Sequence, residues 1–110
     1  MYCEELDWCR RFWEAGWSVH CVPGAEVVHH AGASTRQFRD PMFVALWRSR
    51  YRLFAKHYGP LYRRLVRLIV RAGLQRRVRE AQQAIQQGSL DSEEGTRRIA
   101  AYRQVMELTW

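Results

Sequence analysis

A chain of 110 residues makes at most one small domain, and a composition 47% hydrophobic and 13% aromatic is too apolar for intrinsic disorder. No run of about 18 uninterrupted apolar residues exists, which argues against a spanning helix, and acids precede any apolar run at the N-terminus, which argues against a signal peptide. The net charge of +7 is unevenly spread: residues 1–40 carry six acids and four arginines, whereas residues 41–79 carry eleven Lys or Arg and no acid. A basic block of this kind implies an anionic partner: membrane phosphate, nucleic acid or a nucleotide.

Residues 3–15 are predicted to be a helix, because Leu6, Cys9, Phe12 and Trp13 recur at spacings of three and four. Gly16 follows as a left-handed stop. "WSVHCVP" reads as a short strand closed by Pro23, and "AEVVHH" as a second strand, with Gly24 as the turn between them. "AGASTRQ" is a loop. From Pro41 the pattern becomes helical. "PMFVALWRSRYRLFAKHYG" and "PLYRRLVRLIVRAG" each open on proline and close on glycine, and a more polar helix continues through "LQRRVREAQQAIQQG". On the segment from Pro60, Arg63, Arg64, Arg67 and Arg71 share one face, and Leu61, Tyr62, Leu65, Leu68 and Ile69 share the other. A last helix begins near Ser92, with Glu94 in its first turn. The reading is of two parts: residues 1–38, a helix with two strands and a loop, and residues 39–110, a basic amphipathic helical tail.

Chemistry concentrates in the first part. Glu4, Glu5 and Asp7 suit the positive end of a helix dipole, and the same cluster suits a divalent metal or a general base. His29 and His30 end a strand and point to opposite faces, so they do not readily share one metal. Cys3, Cys9 and Cys21 are odd in number and lack a C-x-x-C clamp, so they read as reduced thiols in a cytoplasmic protein.

Taken in order, Met1, Tyr2, Glu4, Asp7, Cys9, Arg11 and "AGW", followed by Val27, His29, Gly32 and Ser34, resemble the C-terminal end of the catalytic domain of family 2 glycosyltransferases. The rhamnosyltransferase-like bacterial members are the nearest in wording. The resemblance is strong over about residues 1–36. It implies an α/β fold class, the end of a GT-A nucleotide-binding sandwich followed by the helical tail. It also implies inverting transfer of a sugar from a nucleotide-diphosphate donor to a glycan or lipid-linked acceptor.

On the same basis Glu5 takes the position of the catalytic base, where the family has aspartate. Glu4 and Asp7 flank it, and Arg11 holds the carboxylates. Gly32 and Ser34 belong to the loop over the diphosphate, and His29 helps to bind the metal, Mg2+ or Mn2+. Trp8 and Trp17 read as core residues. No Asp-x-Asp is present, so the chain reads as the last part of a longer enzyme, inactive by itself.

The alternative is a small helical membrane-surface or protein-interaction module without catalysis. The basic segment 41–79 reads either as an ordinary helical extension over the catalytic domain with its arginines in water, or as an interfacial helix on an anionic membrane. The protein is expected in the cytoplasm, peripheral on the inner membrane face in the second case. Nucleic acid is disfavoured, because the arginines follow an amphipathic period and no recognised motif occurs. Self-association would shield apolar surface left uncovered.

Overall fold

A computed structural model describes residues 2–26, 28 and 38–109. Among the described residues the secondary structure is helical throughout: α1 (Glu4–Glu14), α2 (Arg39–His57), α3 (Pro60–Gln86) and α4 (Ser92–Glu107). The predicted α/β class is therefore overturned. Residues 17–22, expected as a strand, carry no regular structure and are exposed. A lone strand pairs none of its amide groups, and no neighbouring strand exists among the described residues to complete a ladder. The turn after it does form, with the Ala25 amide donating to the Val22 carbonyl at 3.1 Å. Of the second expected strand, Ala25, Glu26 and Val28 carry no strand structure, and its other three residues lie outside the described residues.

Helix α1 ends as its sequence predicts. Gly16 adopts φ 86, its amide donates to the Trp13 carbonyl at 3.0 Å, and the Trp17 amide donates to the Phe12 carbonyl at 2.9 Å. This closes the last turn through a left-handed glycine. Helix α2 starts two residues before Pro41, which sits in the first turn where a missing amide hydrogen costs nothing. Gly73 does not end a helix, contrary to the punctuation read in the sequence. Helix α3 runs unbroken for 27 residues, because an interior glycine costs only about 1 kcal/mol and Leu74 and Ala81, just beyond it, are buried. The stop falls instead at Gly88, φ 69, where the Ser89 amide reaches the Ala84 carbonyl at 3.0 Å. Asp91 caps α4 by accepting from the Glu93 and Glu94 amides at 3.0 and 2.9 Å.

The core lies where α4 packs on α2 and α3. Val44, Leu74, Ala101 and Val105 are buried together, edged by Phe43, Trp47, Val70, Tyr102 and Met106. Phe43 meets Tyr102 edge to face at 5.4 Å, a geometry aromatic rings favour. Gly95 lets α4 approach the end of α3, since a Cβ there would lie 2.5 Å from Ile85 Cδ1. The α2–α3 corner at Tyr58-Gly59-Pro60 is fixed by three rings: Tyr58 stacks on Tyr62 at 4.3 Å, and Phe54 stands edge-on to both.

The radius of gyration is 17.6 Å, against about 13 Å for a compact domain of this length. The helices form an open arrangement. Two apolar faces remain uncovered: Leu6, Trp8, Phe12 and Trp13 on α1, and Leu61, Leu65, Leu68 and Ile69 on α3.

Candidate functional site

The acidic segment forms the first turn of α1. Tyr2 and Cys3 enter it in left-handed backbone, φ 75 and 67, a conformation that costs a non-glycine residue roughly 1 kcal/mol or more. Glu4 and Glu5 are exposed and Asp7 is partly buried. The three do not converge. Glu4 and Asp7 line a shallow cavity of about 270 Å³ against Ser49, Arg52, Leu53 and Lys56 of α2, and Glu5 is not part of its lining. Glu5 is exposed, and among the described residues no hydrogen bond or ion pair reaches its carboxylate.

Asp7 is engaged on both oxygens. Lys56 Nζ donates to Oδ2 at 2.7 Å, and His57 Nε2 lies 2.6 Å from Oδ1. A carboxylate only accepts, so Nε2 carries the proton in this contact. Lys56, and after it His57, hold the Asp7 carboxyl below the usual carboxylate range. The His57 side chain is 5% exposed, and its other nitrogen, Nδ1, faces Glu14 Oε1 at 4.0 Å. Arg10 completes the clasp. Its Nε donates to Glu14 at 2.8 Å, its Nη2 donates to the His57 carbonyl at 3.3 Å, and its guanidinium lies 5.1 Å from the Tyr58 ring centre. Asp7, Arg10 and Glu14 share one face of α1 at spacings of three and four. That face is tied to the end of α2 by charge and hydrogen bonds rather than by apolar packing.

Arg11 stands one turn after Asp7, with Nη1 at 3.8 Å from Oδ2, at the outer limit of an ion pair. It borders a wider hollow of about 660 Å³ among Trp8, Phe12 and Trp17. Both tryptophans are exposed, contrary to the core role their type suggests. His29, Gly32 and Ser34 lie outside the described residues. Among the described residues no three His, Cys, Asp or Glu side chains gather as a metal-ligand set, and Asp7 already faces two cationic partners.

Sequence reasoning missed Lys56 and His57. They sit 49 and 50 residues from Asp7, and nothing in a local pattern pairs them with it. Their position inside the acid-free block 41–79 was the one available signal, since an isolated carboxylate favours a cationic neighbour.

No family model matches the sequence, and no solved structure matches it. A stretch of 56 residues is 36% identical to the rhamnosyltransferase WbbL of Escherichia coli strain K12, covering 51% of this chain and 21% of that protein. Half of the chain is thus similar to part of a glycosyltransferase. The chain spans about a fifth of the length of the curated relative that it matches. No helix among the described residues is long and apolar enough to cross a membrane.

Proposed function

We propose that this chain is the acceptor-side part of an inverting family 2 glycosyltransferase. The observation that carries the reading is the 56-residue similarity to a rhamnosyltransferase. The α1 geometry supports a division of labour among its acids. Asp7 is committed to Lys56 and His57, so it positions the helix. Glu5, exposed and unengaged among the described residues, is the group left to act as base. It would take the proton from the acceptor hydroxyl as that oxygen bonds to the anomeric carbon and the nucleoside diphosphate departs with its bonding electrons.

Glu4 and Arg11 would hold the acceptor beside it, and Gly32 and Ser34 would approach the diphosphate. A divalent ion held with His29 would belong to a site completed by other parts of a full-length enzyme. The nucleotide-sugar donor would be bound there as well, and the exposed aromatic face of α1 would pack against that remainder. A lipid-linked acceptor would bring the enzyme to the inner face of the membrane.

The test is turnover by a full-length enzyme that contains this segment. Glu5→Gln should lower kcat by about 100-fold or more, the scale on which general-base catalysis contributes, with α1 still helical. An active Glu5→Gln enzyme beside a dead Asp7→Asn variant would remove Glu5 from the base position.

A further inference from the structure

Helix α3 turns Val70, Leu74 and Ala81 toward the core, yet its first half carries a second apolar row that the core leaves uncovered. In its first half Arg63 and Arg67 are half-buried on the inner side. Arg67 and Arg71 lie close enough to the buried Tyr51 phenol to oppose the upward push that burial gives it. The apolar row faces away from the core: Leu61 is 71% exposed, Leu65 51%, Leu68 65% and Ile69 71%. Ordinary surface leucines occur singly, whereas four on one helical row form a patch. Arg64 and Arg71, both exposed, run along one edge of this row, and exposed Arg79 follows more than two turns beyond Arg71.

We infer that the outer row of α3, Leu61, Leu65, Leu68 and Ile69 with Arg64 and Arg71 at its edge, is a docking face for an anionic lipid surface. Aliphatic side chains of this length enter the boundary between headgroups and acyl chains, while long arginines keep their charge at the phosphates. Charge selects this occupant over two others. A second copy set against the same face would bring two arginine edges together, and residues 41–79 hold no acid to offset them. A protein core laid over the row would have to bury Arg64 and Arg71 at its margin, which is costly without paired acids. The contact requires no catalytic step, so it stands or falls independently of the transferase reading. The acidic α1, with Glu4, Glu5 and Glu14 exposed beside its tryptophans, is not part of the face.

The experiment is sedimentation of the 110-residue chain with vesicles of phosphatidylcholine alone and with about 30% phosphatidylglycerol, an anionic lipid. Helicity of every variant is checked by circular dichroism. Binding to the anionic vesicles is expected to exceed that to neutral ones by at least about 10-fold, since each basic residue near the surface contributes about 1 kcal/mol. Leu65→Gln with Leu68→Gln should weaken anionic-vesicle binding by at least about 10-fold, because two apolar side chains leave the interface. Arg64→Gln should weaken it by about fivefold, the equivalent of that 1 kcal/mol. All three positions are exposed, so the variants should keep the wild-type helix content.

Three results would overturn the inference. One is vesicle binding unchanged by the leucine pair. Another is equal binding to heparin with the same variants, which marks a polyanion site without insertion. The third is no vesicle binding, with dimers that the leucine pair dissolves.

Discussion

Helix α1 and the α2–α4 assembly are held by opposite means. In α2–α4 the contacts are apolar and interlocked: Val105 is fully buried, Phe43 and Tyr102 meet edge to face, and Gly95 admits the side chain of Ile85. In α1 no residue is buried, and attachment rests on Asp7, Arg10 and Glu14 reaching Lys56, His57 and Tyr58. Apolar packing contains no titrating group and is not screened by ions, whereas ionic attachment weakens with added salt and with loss of charge. The helix that carries the candidate acids is therefore the part whose placement responds to conditions, and the part without them is the rigid base.

The sharpest test of this contrast is Val105→Asp. An unpaired carboxylate at a fully buried position should cost about 4 kcal/mol or more and melt α2–α4 together, seen as loss of the cooperative thermal transition. Survival of that transition would show that the core is not centred on Val105. Gly95→Val should cost about 2 kcal/mol by overfilling the contact with Ile85, lowering the melting temperature while leaving α1 exchange rates alone. Asp7→Asn should do the reverse, accelerating amide exchange in α1 with the melting temperature of α2–α4 unmoved.

Acid should reproduce that last effect. The folded Asp7 carboxyl titrates below its usual range because Lys56 and His57 hold it ionised. Its contribution is complete above the ordinary aspartate value of about 3.9 and is lost as pH falls through the folded value. Hydrogen exchange measured at descending pH, corrected for intrinsic rates, should show α1 released before the core opens. Simultaneous release would mean that α1 is packed into the core after all.

Much of the helical architecture was legible in the sequence. The three- and four-residue spacing located α1, Gly16 marked its end, and Pro60 marked the start of α3. Gly73 misled because glycine signals a helix end only when the chain beyond it cannot continue. Here Leu74 and Ala81 continue the buried face. "WSVHCVP" misled because β-branched and aromatic residues fit a pleated surface, and a strand needs a partner that this segment does not find. The acids of α1 were visible as a cluster, but their separation into a clasped Asp7 and an open Glu5 was not. That separation depends on two side chains some fifty residues away, and only the packing of α2 brings them near. The facing of α3 was equally hidden. Periodicity divides arginines from leucines but does not say which row looks inward.

The clasp on Asp7 sits beside the corner from which α3 departs, since Lys56 and His57 immediately precede Tyr58-Gly59-Pro60. At about 1.5 Å per residue, the 27 residues of α3 make an arm roughly 40 Å long. A tilt of about ten degrees about that corner would carry the far end some 7 Å, by simple leverage on that length. Near the pivot the same tilt displaces atoms by a fraction of an ångström. The acidic helix is thus fastened at the end of α3 where any such tilt would displace it least, and the packing of Leu74 and Ile85 on α4 holds the rest of that length in place.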